Sequence, residues 1–455
     1  MQALCRTRVG KDLRPPDSSM PTKAFPRVKE VRAYSVHAPK EAAGKQGSDC
    51  HDVPTAHWIN GTGDHPMRPP IANPMSFWPQ YNCQPRTSWG INALGSCIVE
   101  VIAEDGTSGV GVTTAGEPGC YIVENHLSRF VEGEDPRNVE QIWDKMWRST
   151  INYGRKGLPL QAISAVDLAL WDLLGKLRNE PVYALLGGTT KERCPVYCTT
   201  ARPDLAKAMG FAGAKIPCPH GPADGDEGFR ANVAFFEKWR KVVGPEFPLM
   251  LDCYMALNAP YTVRLGKALA PLGLKWIEEF LPPDDYDGYV EVRKGLRGSG
   301  VLTTTGEHEY TRYGFRKLIA DKAVDVLQPD ITWLGGLTEA RRVVAMAAAY
   351  DIPVVPHGSS VYSYHLQYAF ANCPLAEFIC LAPNADKIVP YFGGLFPDEP
   401  LPANGFIDLP DRPGFGVTLC RDNLRRPYPR SPHQSAVQAK ANREKAQPTV
   451  PRVRL

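Results

Sequence analysis

No stretch of this 455-residue sequence approaches the ~18 uninterrupted apolar residues that a bilayer-spanning helix needs. Excess charge of one sign is also lacking. The 52 Lys and Arg stand against 49 Asp and Glu, a formal charge of +3, so nothing marks a nucleic-acid or membrane-surface binder. Cys-x-x-Cys pairs are absent; the nearest of the 12 cysteines, Cys194 and Cys198, have three residues between them. Cys97, Cys253 and Cys380 fall inside apolar, strand-like runs, where a free thiol behaves as a small hydrophobe. The expectation is a soluble, cytoplasmic protein with reduced thiols.

Pro and Gly are abundant, 43 and 40, favouring many tight connections over long helical bundles. The length suits one β/α barrel of about 250 residues plus a smaller domain. Residues 1–27 are basic without an amphipathic pattern and carry Asp12 and Asp17, which suits a disordered or non-native extension better than a targeting segment. Residues 28–158 read as an α+β capping domain. It holds a strand VKEVRAYSV, a Gly/Pro/His-rich loop from Lys40 to Arg86, and a hairpin turning at Asp105-Gly106. Its helix is expected to open on Asp135 as N-cap, with Pro136 in its first turn, and to run through Val139, Ile142, Trp143 and Trp147.

Residues 159–385 read as the catalytic α/β barrel. AISAVDLALWDLLGKL forms a helix with a broad apolar face. Eight β-rich runs then alternate with helical stretches: VYCTT, GAKIP, LMLDCY, LKWIEEF, VLTTTGEH, VDVLQPDI, PVVPHGS and EFICLAP. Residues 386–430 are expected to return to the capping domain, and 431–455 to form a disordered, solvated tail.

The carboxyl ends of barrel strands face one mouth, where the active site is built. Polar residues recur at these ends: Lys215 on the second run, Asp252 on the third, Glu278 on the fourth, Glu307 on the fifth, Asp330 on the sixth and His357 on the seventh, with Glu377 before the eighth. Asp252, Glu278 and Glu307 would repel one another unless a cation sat between them, and an all-oxygen, partly hydrated site suits Mg²⁺. Glu279 competes with Glu278, because neighbouring strand residues point to opposite faces and only one can face the mouth. Asp330 and His357 on adjacent strands suit a dyad in which the carboxylate fixes the tautomer and the imidazole acts as general base. His308, next to Glu307, is a weaker candidate for donation to a leaving group or for a hydrogen bond to substrate. Removing the α-proton of a metal-bound carboxylate gives an enediolate, which either regains a proton or expels a β-hydroxyl.

The segments AISAVDLALWDLLGK, PVYALLGG, MLDCYM, KWIEE, GEH, QPDITWLGG and VVPHGSSVYS resemble the enolase superfamily, and within it the mandelate-racemase-like acid-sugar dehydratases. HWI at His57, PRTSWGIN around Arg86, TAGEPGCYIVENHLSRF, ARPDLAKAMGF, DGDEG and PGFGV are similar to the same dehydratases, and the resemblance runs from about Val28 to Arg430. It implies a modified (β/α)8 barrel of the (β/α)7β kind, capped by the α+β domain. Mg²⁺ would be bound by Asp252, Glu278 and Glu307, with Glu278 preferred over Glu279. His357 would be the base, Asp330 its orienter, and Glu377 a protonated carboxyl bonded to the developing enediolate oxygen. His57 and Arg86 would bind the substrate. A homo-oligomer is implied, an octamer or smaller even assembly.

Two features depart from this pattern. The racemases carry Lys-x-Lys after the second strand, whereas Lys215 is followed by Ile216 and Pro217, which leaves Lys215 as a substrate or electrostatic contact. The loop between His57 and Pro74 is also longer. The implied activity is loss of water from a 6-deoxy sugar acid to a 2-keto-3-deoxy acid. The alternatives are another acid-sugar dehydratase, a racemase or epimerase, and a non-catalytic binding barrel.

Overall fold

The structure, a computed structural model, describes residues 25–36, 71–78, 90 and 93–445. His57 and Arg86 therefore lie outside the described residues, as do residues 1–24 and most of the long loop.

Strands β1 (Val28–Val36), β2 (Cys97–Ala103) and β3 (Ser108–Thr113) form an antiparallel meander. The β2–β3 turn is the one expected at Asp105-Gly106: Gly106 takes φ +90°, and the Asp105 carboxylate accepts from the Thr107 amide at 2.9 Å. Helices α1 (Gly116–Asn125) and α2 (Val139–Thr150) follow. The start of α2 differs from the sequence reading. Asn138, not Asp135, is its N-cap, because the Asp135 carboxylate is taken by the amide and guanidinium of Arg137.

Helix α3 (Leu158–Arg178) sits between this sheet and the barrel. By length and composition it could cross a membrane, yet it is almost wholly buried inside the fold, as in a core helix. Its two buried acids are occupied: Asp172 accepts from the amides of Val110 and Phe415, and Asp167 from that of Thr338. Close approach to β3 depends on glycine. A Cβ at Gly111 would lie 2.0 Å from the Ala165 carbonyl oxygen, and one at Gly109 2.1 Å from that of Ala169.

After the short helix α4 (Val182–Leu185), the chain alternates. Strands β4 (Cys194–Thr199), β5 (Ala214–Pro217), β6 (Leu249–Asp252), β7 (Leu274–Glu278), β8 (Leu302–Thr305), β9 (Val326–Leu327) and β10 (Ala376–Ile379) pair in parallel. The helices between them are α5 (Pro203–Ala208), α6 (Gly225–Val243), α7 (Ala259–Leu269), α8 (Tyr286–Gly295), α9 (Thr311–Ala320), α10 (Gly336–Ala348) and α11 (Val361–Ala369). The sheet curls in the order β10-β4-β5-β6-β7-β8-β9. The seventh of the expected barrel strands narrows to one bridge, Val354 to Leu327, because Pro353 and Pro356 on either side have no amide to donate. Inside the curl, Tyr197, Met250, Trp276, Val326 and Val355 form a separate buried layer beneath the strand ends.

The C-terminal segment adds β11 (Phe406–Ile407) against β4 and β12 (Leu424–Arg425) against β1. Part of the expected tail is ordered as α12 (Pro432–Lys445). It has no broad apolar stripe to read from sequence. It is held instead by the Asn442 amide on the carbonyls of Arg129 and Glu132, and by Ala439 packed on Gly133.

Candidate active site

Strand register brings the predicted acids together. Asp252 ends β6 and pairs with Glu278 at the end of β7, while Glu307 lies two residues past β8. A carboxylate oxygen from each falls within 4.8 Å of the other two. Glu278 is almost wholly buried and accepts from Trp276 Nε1 at 3.0 Å and Gln328 Nε2 at 2.8 Å. Burial drives the Glu278 carboxyl well above its usual range, and Asp252, Glu377 and Glu307 add to this against the pull of Lys215. Burial, with Glu279 alongside, likewise raises Glu307 to about 7. A hard cation relieves such repulsion, and a cluster of three carboxylates suits Mg²⁺. The donor set fits.

Lys215 is the second residue of β5 rather than its end. It is buried, with Nζ 2.9 Å from Glu377, 3.2 Å from Asp252 and paired with Glu278. It serves here as the counter-ion of the acids. Glu377, inside β10, accepts from the Gly358 amide at 2.8 Å and from the Thr199 hydroxyl. Burial alone would raise its carboxyl, but Lys215 and His357 hold it down to about 2. The buried Lys215 ammonium beside it favours the carboxylate form.

On the opposite wall, His357 donates or accepts through Nδ1 with Asp330 at 2.7 Å. Asp330 also accepts from the Thr332 amide and hydroxyl, each at 2.6 Å, and from Ser359 at 3.1 Å. A carboxylate with that many donors stays put and fixes the ring, leaving Nε2 free to act. Nε2 lies 3.7 Å from Glu307, so the base borders the carboxylate cluster. Burial would lower the His357 pKa, but Glu307 and the Asp330 hydrogen bond push it well above its usual value.

Alternation along the strand predicts that Glu279 points away from the mouth, and it does not. Glu279 takes φ +42°, which turns its side chain back beside Glu307, where it meets His308 Nδ1 at 2.6 Å. Trp333 was also missed: its ring lies 5.2 Å from His308 and 5.7 Å from His357, between the two imidazoles. Gln328 and Thr199, which bond the acids directly, carry no distinguishing signal beyond their place near strand ends.

A curled parallel sheet with acids at the strand ends and a carboxylate–imidazole dyad at the rim defines a barrel enzyme that moves protons beside a bound cation. Residues 201–423 match the family model "Enolase C-terminal domain-like", and residues 91–187 match "Mandelate racemase / muconate lactonizing enzyme, N-terminal domain". The chain belongs to the mandelate racemase/muconate lactonizing enzyme family of the enolase superfamily. An L-rhamnonate dehydratase of Saccharopolyspora erythraea is 53% identical over 403 residues, 88% of this chain and 99% of that one. A crystal structure of rhamnonate dehydratase from Gibberella zeae complexed with Mg is similar at TM-score 0.82 and 49% identity, covering 89% of this chain and 97% of that one. A racemase from Streptomyces coelicolor A3(2) with bound magnesium is more distant, at TM-score 0.67 and 25% identity over 86% of this chain and 97% of that one.

Proposed function

We propose that this chain is a Mg²⁺-dependent hydro-lyase that removes water from L-rhamnonate, or a similar 6-deoxy sugar acid, giving 2-keto-3-deoxy-L-rhamnonate. The observation that carries it is the His357–Asp330 dyad facing Glu307 of the three-carboxylate cluster. The dehydratases of S. erythraea and G. zeae, about half identical over nearly their whole length, support the choice of sugar.

A Mg²⁺ ion among Asp252, Glu278 and Glu307 would hold the substrate carboxylate and offset the charge that builds as the α-proton leaves. Asp330 keeps the His357 ring fixed, so that Nε2 takes the proton from C2. The imidazolium so formed can return that proton to the departing C3 hydroxyl. Loss of the C2 hydrogen and the C3 hydroxyl leaves an enol that becomes the 2-keto acid. Glu377, which anchors Lys215 against the acids, would hydrogen-bond the developing enediolate oxygen once protonated. His57, Arg86 and His308 complete the proposed substrate contacts, the first two from outside the described residues.

A racemase lacks its second base here, since Lys215 is engaged by three acids and Pro217 stands where another lysine would be required. The same proposal includes a cytoplasmic homo-oligomer, an octamer or smaller even assembly, which light scattering would measure. The deciding experiment offers the purified protein a panel of aldonic acids with Mg²⁺ and assays 2-keto acid. No product from L-rhamnonate or its 6-deoxy relatives would defeat the reading.

A further inference from the structure

Two carboxylate–imidazole pairs stand in one mouth; the mechanism above moves protons through one of them and gives His308 of the other only as a substrate contact, with no role for its carboxylate partner. The second is Glu279–His308. Glu279 is 1% exposed and held at φ +42°, a strained conformation for a side-chain-bearing residue and one that clusters at working sites. Tyr254 and Met255, at φ +41° and +59°, accompany it, and the Met255 amide donates to the Glu279 carbonyl at 2.5 Å. This bent backbone brings the Glu279 carboxylate to His308 Nδ1 at 2.6 Å. The ring is packed by Tyr254 at 5.6 Å and by Trp333 at 5.2 Å, so its orientation is fixed from several sides. Its Nε2 bonds to no described residue, and the side chain keeps 22% of its surface open. Trp333 separates it from His357, placing the two imidazoles side by side on the rim.

We propose that Glu279 is a positioning residue that orients His308 so that Nε2 hydrogen-bonds a hydroxyl of the substrate, and that this pair sets which sugar acid is accepted. A hydroxyl both donates and accepts, so the contact forms whichever way Nε2 presents itself. A site built to bond a hydroxyl discriminates against a substrate that lacks it or carries it in the other configuration. The inference rests on the acid-sugar reading given above. Its rival is a second cation held by Glu279, Glu307 and His308, whose ligand atoms also lie within 4.8 Å of one another.

The test measures kcat and KM for aldonic acids that differ in one hydroxyl beyond C3. It uses the Mg²⁺-loaded wild type, Glu279→Gln, Glu279→Ala, His308→Ala and the double alanine variant. For Glu279→Ala, KM for the preferred sugar should rise about tenfold or more, with a smaller fall in kcat and a flatter ranking of sugars. Glu279→Gln, whose amide oxygen can still accept from Nδ1, should restore most of the affinity. Glu279→Ala should add nothing once His308 is alanine. Should the alanine variant of Glu279 fail to fold, the glutamine variant and His308→Ala carry the same comparison of sugar ranking. Unchanged KM and ranking, or fully additive effects, overturn the proposal. Calorimetry finding two Mg²⁺ per chain, one of them lost in Glu279→Ala, overturns it in favour of the second cation. A wild type inactive on every sugar acid defeats the functional reading itself, and is recognised because it occurs before any substitution.

Discussion

The Lys215 ammonium group lies 2.9 Å from a carboxylate oxygen of Glu377, with both side chains sealed from solvent. Removing one member of a buried ion cluster leaves the others uncompensated, at about 3–5 kcal/mol. Lys215→Met should therefore melt well below the wild type in the absence of metal. Added Mg²⁺ should raise its melting temperature more than that of the wild type, because the metal then supplies the missing positive charge. Differential scanning calorimetry with and without Mg²⁺ reads both effects.

The dyad predicts a loss of chemistry without loss of fold. His357→Asn should lower kcat by about 10³-fold or more, and Asp330→Asn by roughly 10²-fold, within the range for removing a general base or its support. Melting temperatures of the Mg²⁺-loaded variants should stay close to wild type. A His357→Asn protein with near-normal 2-keto acid formation would remove His357 from the base role.

Cation binding should appear as stability as well as activity. Ligand at about 100 times its Kd stabilises a folded chain by about 2.7 kcal/mol. EDTA-treated protein should melt lower, be inactive and recover both properties with Mg²⁺. Asp252→Asn and Glu307→Gln should weaken that recovery.

The buried carboxyls of Asp167 and Glu399 should each contribute stability that is lost as pH rises through the weakly acidic range. Burial raises the carboxyls of Asp167 and Glu399 to about 7, from 3.8 and 4.5, against hydrogen bonds from Thr338 and Ser360. Between about pH 4 and pH 7 the folded chain thus holds protons that the unfolded chain has released, so each group contributes stability at low pH that is lost as pH rises. The slope is on the order of 1 kcal/mol per pH unit per group at most. Asp167→Asn and Glu399→Gln should flatten it in urea titrations across this range.

The C-terminal segment is pinned by charge. Arg430 bonds Glu124 and Glu132, and Arg426 bonds Glu124 and Glu30, with Glu124 and Glu132 fully buried. Arg430→Ala should cost about 3–5 kcal/mol and expose the chain after residue 430 to proteolysis. A limited trypsin digest compared with wild type checks this.

The strand-end residues were legible because a barrel repeats one short strand and one helix, so Asp252, Glu278, Glu307, Asp330 and His357 fall at matching places in successive units. The pairing of Glu279 with His308 was not, because it depends on one residue leaving the strand conformation, which residue identity does not reveal. Nor was the contact of Glu377 with Lys215, which reaches it from β5 across β4. The thin seventh strand could have been foreseen from Pro353 and Pro356. The docking of α12 could not, since it depends on side-chain amides meeting loop carbonyls rather than on an apolar stripe.

The contact of β3 with α3 has a mechanical consequence. Gly109 and Gly111 let backbone lie on backbone there, the Val110 amide is tied to Asp172, and the Thr113 hydroxyl reaches the Thr332 carbonyl at 2.8 Å, two residues from Asp330. The small sheet and the barrel share this helix as a common spine and have no greased plane on which to slide. Heat or urea should therefore melt sheet and barrel together in a single cooperative transition.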